Sequence, residues 1–99
     1  MRINELYQKT IKNTFNNVFG NGKIFLFGSR VDDNKRGGDI DLYIIPDDDQ
    51  STSEELFEKK IKFLSKLQLS LGEQKIDIII SKDKNRPIEK AAIDSGIEL

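Results

Sequence analysis

Apolar residues recur with two different spacings along the chain, and each spacing predicts a type of secondary structure. Three segments repeat apolar side chains every three or four positions, which is the spacing of one helix face. Three shorter apolar runs have the length of strands. The order α-β-β-α-β-α predicts an α/β (α+β) fold in one domain, residues 1–99, with helices flanking a small mixed sheet of about three strands. The predicted helices are residues 3–19, 52–71 and 87–96, and the predicted strands are residues 23–27, 39–45 and 75–81.

Local signals predict where the helices begin and end, and which sides face the core. Thr52 and Glu55 form a capping box before the second helix, and Gly72 is expected to end it. Pro87 suits the first turn of the third helix. The side chains expected to face the core are Ile3, Tyr7, Ile11, Phe15 and Val18 in the first helix, Phe57, Ile61, Leu64, Leu67 and Leu71 in the second, and Ile88, Ala91 and Ala92 in the third.

The composition excludes several classes of chemistry. The 99 residues contain no Cys and no His, which excludes thiol nucleophiles, disulfides, the usual zinc sites and Ser-His-Asp triads within them. Any bound metal must therefore have oxygen ligands, as Mg²⁺, Mn²⁺ and Ca²⁺ prefer. The 16 basic and 17 acidic residues give a net charge of −1, which argues against a nucleic-acid partner. The sequence shows neither a membrane-spanning apolar run nor a signal-peptide core, so a cytoplasmic location is expected.

Acidic residues interrupt two of the predicted strands. Asp39 and Asp41 are two positions apart, so they share one face of the second strand with Cα atoms about 6–7 Å apart. Asp77 lies in the third strand, and pairing of the two strands would bring all three carboxylates together. Such a cluster repels itself unless it holds cations, and two Mg²⁺ ions there would suit in-line phosphoryl or nucleotidyl transfer. Alone, these acids are more typical of a solvent-facing strand or a protected sheet edge than of a metal site.

A Gly-Ser-Arg sequence follows the first predicted strand directly. Gly28 allows a ligand to approach the backbone closely, and Ser29 offers a hydroxyl beside amides that can bind an anion. Arg30 adds a charge for a phosphate group. The same residues also suit an ordinary turn at a strand end, and it is their position just before the acidic strand that favours a phosphate-binding loop.

The segments Gly28-Ser29-Arg30 and Asp39-Ile40-Asp41-Leu42, followed by Asp77, resemble the nucleotidyltransferase superfamily that includes DNA polymerase beta. The sequences LFGSR and GDIDLYI are similar to those of minimal nucleotidyltransferases, including the antitoxin type, and the resemblance covers residues 24–81. It implies a polymerase-beta-like fold, with two Mg²⁺ ions (or Mn²⁺) as cofactors and ATP as substrate. The residues implied to be catalytic and to bind metal are Asp39, Asp41 and Asp77, and those implied to bind the nucleotide are Gly28, Ser29 and Arg30.

Two departures from the family pattern affect the loop rather than the acids. Gly38 stands where many members have Ser before the first metal-binding Asp. The loop after Arg30 reads Val31-Asp32-Asp33, whereas A-x-G is common there. Metal binding is therefore better supported than the choice of nucleotide.

The resemblance also implies a reaction and a partner. It implies Mg-dependent transfer of a nucleoside monophosphate, AMP from ATP, to a tyrosine hydroxyl of a HEPN-domain toxin, which would make the chain a type VII-like antitoxin. The 99 residues leave little room for an acceptor-holding domain, so we expect a partner protein in a homo- or hetero-oligomer. Two alternatives stay open: a non-catalytic antitoxin that acts by contact, and transfer to a small molecule such as an aminoglycoside. Ile97 and Leu99 are expected either to dock a partner or to hold the last helix in place.

Overall fold

The elements follow one another in the order that the apolar spacing predicts. The computed structural model describes residues 5–27, 40–47, 52–72, 75–82 and 85–99. The elements within these ranges are α1 (Glu5–Phe19), β1 (Gly22–Phe27), β2 (Ile40–Pro46), α2 (Ser53–Leu71), β3 (Ile76–Ile80), α3 (Pro87–Ser95) and β4 (Ile97–Glu98). The predicted α-β-β-α-β-α order is confirmed, and one short strand is added after it.

The described strands form one mixed sheet in the order β3-β2-β1-β4. β1 runs antiparallel to both β2 and β4, whereas β2 and β3 are parallel. The fourth strand is formed by Ile97 and Glu98, and the backbone N–H of Leu99 donates to the Ile24 carbonyl oxygen at 2.9 Å. The C-terminal apolar residues therefore extend the sheet. A strand of two residues is too short to be predicted from the alternation of apolar and polar positions.

The main core lies between one face of the sheet and the helices α1 and α2. Strand residues alternate between faces, and those on this face come from all three longer strands. Three phenylalanine rings from α1 and α2 pack together at its centre, with centroids 5.5 to 6.4 Å apart. The buried residues of this core are Ile11, Phe15, Phe19, Ile24, Leu26, Ile40, Leu42, Ile44, Phe63, Leu67, Ile76 and Ile78.

A smaller apolar cluster covers the opposite face of the sheet, beneath α3. Phe25 and Tyr43 lie side by side with ring centroids 6.0 Å apart, and Ala92 of α3 packs against them. Partly buried residues of the sheet and of α3 surround this cluster: Phe27, Ile45, Ile79 and Ile93. The sheet is therefore covered by apolar side chains on both faces.

The ends of α2 are those that its capping residues predict. The Thr52 side chain accepts a hydrogen bond from the backbone N–H of Glu55 at 3.1 Å. Gly72 ends the helix with a φ of +85°, and its N–H donates to the Gln68 carbonyl oxygen at 3.0 Å. No helix in the described ranges is long and apolar enough to cross a membrane.

The predicted core-facing stripe of α2 is partly wrong. Phe57 is 61% exposed and Ile61 is 49% exposed, whereas Phe63 and Leu67 are fully buried. Apolar residues cover more than half of the helix circumference, and the helix buries the side that meets the phenylalanine rings of α1. Phe57 and Ile61 lie on the flank of that side.

The predicted inward residues of α3 are also partly wrong. Ala92 is buried as predicted, but Ile88 is 44% exposed and Ala91 is exposed. The residue that turns inward one turn before Ala92 is Glu89, which is fully buried. A carboxylate replaces the expected isoleucine because the sheet offers it hydrogen-bond donors.

Candidate active site

Two of the predicted acids occupy paired positions on neighbouring strands. The parallel register of β2 and β3 places Asp41 opposite Asp77. Each lies between isoleucine or leucine residues that point into the main core, so both side chains lie on the opposite face, the one that carries α3. Asp41 is half-buried and Asp77 is exposed. Adjacent strands are about 4.8 Å apart, which is close enough for two carboxylates to share a cation.

The third predicted acid lies outside the described residues. Asp39 directly precedes Ile40, whose backbone N–H donates to the Lys75 carbonyl oxygen at 3.0 Å. Asp39 is two positions before Asp41, so a continuous strand would place both on one face. It would then complete the predicted group of three carboxylates. Its role stays a prediction.

The predicted phosphate-binding loop also lies outside the described residues, but the strand that leads to it does not. β1 ends at Phe27, which pairs with Asp41 in the antiparallel register. Gly28, Ser29 and Arg30 follow Phe27 directly in the sequence. The end of β1 is therefore beside the strand position that carries a candidate acid, while the roles of these three residues stay predictions.

The chemistry of the described residues fits a hard divalent cation. Asp41 and Asp77 offer carboxylate oxygens, which Mg²⁺ and Mn²⁺ prefer. The described ranges contain no three acidic, histidine or cysteine side chains placed so that they could hold one metal ion, and the predicted third ligand, Asp39, falls outside these ranges. Two carboxylates from adjacent strands are thus what the described residues contribute to such a site.

A fully buried carboxylate lies on the same sheet face as the acid pair. Glu89 Oε1 accepts hydrogen bonds from the Tyr43 hydroxyl at 2.7 Å and from the Ser81 hydroxyl at 2.8 Å. The backbone N–H of Lys82 lies 3.2 Å from each carboxylate oxygen, and Arg86 Nη1 lies 3.5 Å from Oε2. These partners supply the hydrogen bonds and the opposite charge that a buried carboxylate requires.

The environment of Tyr43 changes its acidity. Burial raises the pKa of the Tyr43 hydroxyl above its ordinary value of 10.0. The hydrogen bond to Glu89 and the negative charge of that carboxylate raise it further, while the hydrogen bond with Ser81 acts in the opposite direction. Tyr43 is therefore a hydrogen-bond donor at neutral pH.

The comparison with known families decides the class of the domain. A family model described as Polymerase beta, Nucleotidyltransferase matches residues 9–99. The chain belongs to this family. Nucleotidyl transfer is accordingly the reaction class of this domain, and the resemblance seen in its motifs is confirmed. A search among curated proteins finds no significant match.

A cavity beside the transferase sheet is separate from the acid pair. It has a volume of about 830 Å³ and lies between α2 and β3, where Phe57, Ile80 and Arg86 are among its lining residues. Neither Asp41 nor Asp77 lines it. The exposed side of Phe57 therefore borders this cavity and not the candidate metal site.

Glu89 is the residue of this face that the sequence reasoning missed. The pattern contains a signal for it, because Glu89, Ala92 and Ile93 are spaced as one helix face. Ile88 and Ala91 are assigned to the core instead in the sequence-based prediction, because charged residues usually lie on the surface. This rule fails where a buried charged residue has partners, as Glu89 does.

Proposed function

We propose that this transferase uses divalent cations to move AMP from ATP onto a hydroxyl group of a partner protein. The observation that carries the proposal is the paired position of Asp41 and Asp77 on two parallel strands. The end of β1 beside Asp41, where Gly28, Ser29 and Arg30 follow in the sequence, supports a phosphate-binding role for these three residues.

Each residue has a distinct role in the proposed reaction. Asp39 and Asp41 hold Mg²⁺, which when bound neutralises the triphosphate and stabilises the charge that develops on the attacking and leaving oxygens. Asp77 completes the ligand set and accepts the proton of the attacking hydroxyl. A bond forms between the hydroxyl oxygen and the α-phosphorus, the bond from that phosphorus to the bridging oxygen breaks, and pyrophosphate leaves.

The proposed acceptor is a tyrosine of a HEPN-domain toxin, which gives the chain an antitoxin role. The resemblance to minimal nucleotidyltransferases supports this choice. The family domain takes up residues 9–99, so the acceptor has to be presented by another molecule or another part of the protein. The balanced charge of the chain favours a protein acceptor over a nucleic acid.

The proposal is tested by labelling the candidate toxin. The chain is incubated with α-³²P-labelled ATP, MgCl₂ and the purified HEPN protein, and label on that protein is followed by gel and mass spectrometry. We expect transfer by the wild-type chain, and loss of transfer in Asp39→Asn, Asp41→Asn and Asp77→Asn. Asp47→Asn is the matched control, because Asp47 is an exposed acid just past the other end of β2.

The outcomes separate the proposed reaction from its alternatives. Label on the toxin that persists in all three Asp→Asn variants contradicts the assigned site. Variants that protect cells from the toxin without any transfer favour neutralisation by contact alone. Label that appears on an added aminoglycoside but never on the toxin favours a small-molecule acceptor.

A further inference from the structure

We infer that Glu89 is a positioning residue for the acid pair, because it joins the two strands that carry Asp41 and Asp77. This inference rests on the proposed function. Tyr43 lies two positions after Asp41 on β2, and Ser81 lies four positions after Asp77, just beyond β3. Both spacings are even, so these residues lie on the same sheet face as the acids. One carboxylate oxygen, Glu89 Oε1, accepts hydrogen bonds from both.

The described residues that donate to Glu89 come from three separate parts of the fold. β2 provides the Tyr43 hydroxyl, the segment after β3 provides the Ser81 hydroxyl and the Lys82 N–H, and the start of α3 provides Arg86. All of these groups approach the carboxylate as donors. Their convergence on one fully buried side chain fixes the end of β3 against β2 from the helix side.

The position of β3 makes this connection important. Among the described strands β3 is at the edge of the sheet, with β2 as its strand neighbour on one side. Backbone pairing continues to the end of β3, where the Ser81 N–H donates to the Ile44 carbonyl oxygen at 2.8 Å. Side-chain bonds through Glu89 add a second connection at this end. Removing them lets the edge strand shift or fray relative to β2, which changes the separation of Asp41 and Asp77.

A small displacement of a ligand is costly for a metal site. Productive geometry requires ligands held within about 0.5 Å, and loss of a group that orients the ligands typically costs about 10–100-fold in metal affinity. Glu89→Ala removes the acceptor of the two hydroxyls. Glu89→Gln keeps its shape and one acceptor oxygen but places an NH₂ group among donors. Because Glu89 acts on the strands rather than on the ligands themselves, we expect Glu89→Ala to weaken metal binding by about tenfold, the low end of this range, and Glu89→Gln to weaken it less.

The experiment measures Mn²⁺ affinity and stability in the same set of variants. Binding of Mn²⁺ to the full chain is followed by the electron paramagnetic resonance signal of the free ion, at a temperature where circular dichroism shows each variant to be folded. Ile93→Ala is the matched control, because Ile93 is on the same helix and packs against the apolar cluster of Phe25, Tyr43 and Ala92. Amide hydrogen exchange of Ile79 and Ser81, whose N–H groups face β2, reports the pairing of β3 with β2.

Each outcome decides the role of Glu89. Weakened Mn²⁺ binding and faster exchange in β3 for Glu89→Ala, partial recovery in Glu89→Gln, and unchanged affinity in an equally destabilised Ile93→Ala support the inference. Equal Mn²⁺ affinity in the wild type and Glu89→Ala overturns it while leaving the proposed function intact. A wild-type chain that binds no Mn²⁺, alone or with a non-hydrolysable ATP analogue, overturns both.

Discussion

Asp41 and Asp77 stand opposite each other on adjacent parallel strands, one half-buried and the other exposed, on the sheet face that carries α3. Like charges at directly opposed strand positions destabilise a sheet. The repulsion between these two carboxylates is therefore unfavourable, and the proposed binding of a cation between them would offset it. Under the proposed function, stability and metal binding are linked at this pair.

The first prediction follows from this linkage. Mg²⁺ or Mn²⁺ is expected to raise the melting temperature of the wild-type chain. The unfolding free energy should rise by about 2.7 kcal/mol at a metal concentration of 100 times Kd. Asp77→Asn is expected to gain roughly 0.2–1 kcal/mol without metal and to lose the response to metal. Thermal denaturation with and without MnCl₂ measures both effects. A metal response in Asp77→Asn equal to that of the wild type and of Asp47→Asn contradicts the prediction.

The second prediction concerns the two sides of α2. Leu67→Ala is expected to lower the unfolding free energy by about 2–5 kcal/mol, because it leaves a cavity in a fully buried part of the core. Phe57→Ala is expected to cost far less, since Phe57 is 61% exposed. Urea denaturation of the two variants compares them directly. A greater loss for Phe57→Ala would show that the side of α2 with Phe57 faces the core, and would contradict the prediction.

The third prediction concerns the start of the same helix. Thr52→Ala removes the acceptor for the Glu55 N–H and is expected to cost about 0.5–2 kcal/mol. Thr52→Ser keeps a hydroxyl in the same place and should cost much less. Chemical denaturation measures both. An identical loss in the two variants would show that the methyl group, and not the cap, is what Thr52 contributes.

The fourth prediction concerns the tight approach of β1 to the end of β2. A Cβ atom on Gly22 would collide with the Ile45 carbonyl oxygen, and its φ of +139° is unsuited to other residues. Gly20 also has a positive φ, +84°, but open space around it. Gly22→Ala is therefore expected to destabilise the chain clearly more than Gly20→Ala, whose cost should be about 1–2 kcal/mol. Equal melting temperatures for the two variants would contradict this packing.

Features set by neighbouring residues are those that the sequence predicts well. The limits of α2 depend on Thr52 and Gly72, and the shared face of Asp41 and Tyr43 depends only on strand alternation. The pairing of Asp41 with Asp77 adds one assumption, that β2 and β3 are neighbours, and the register confirms it. The contributions of Asp39 and of the Gly-Ser-Arg loop to the site stay predictions, because these residues lie outside the described ranges.

Features set by distant residues are those that the sequence left open. The rotation of α2 depends on the rings of α1, so spacing alone assigns its apolar flank at Phe57 to the core. The spacing places Glu89 on the helix face of Ala92 and Ile93, but its burial depends on a hydrogen bond from Tyr43, 46 positions away, and local spacing does not show that partner. β4 depends on pairing of two residues with β1, a length at which alternation carries no information.

The fifth prediction concerns the pH dependence of stability. The raised pKa of Tyr43 means that the folded chain keeps this proton at a pH where the unfolded chain has lost it. The contribution of Tyr43 to stability is thus complete below pH 10.0, the ordinary pKa, and is lost as the pH rises through the higher folded value. Tyr43→Phe removes the hydrogen bond to a buried carboxylate, so at neutral pH it should cost about 1.5–3 kcal/mol. Because phenylalanine does not ionise, the difference between wild type and variant should stay constant up to about pH 10.0 and shrink as the pH rises above it. Urea denaturation below and above this pH measures the difference, and a difference that stays constant throughout would contradict the role assigned to burial and Glu89.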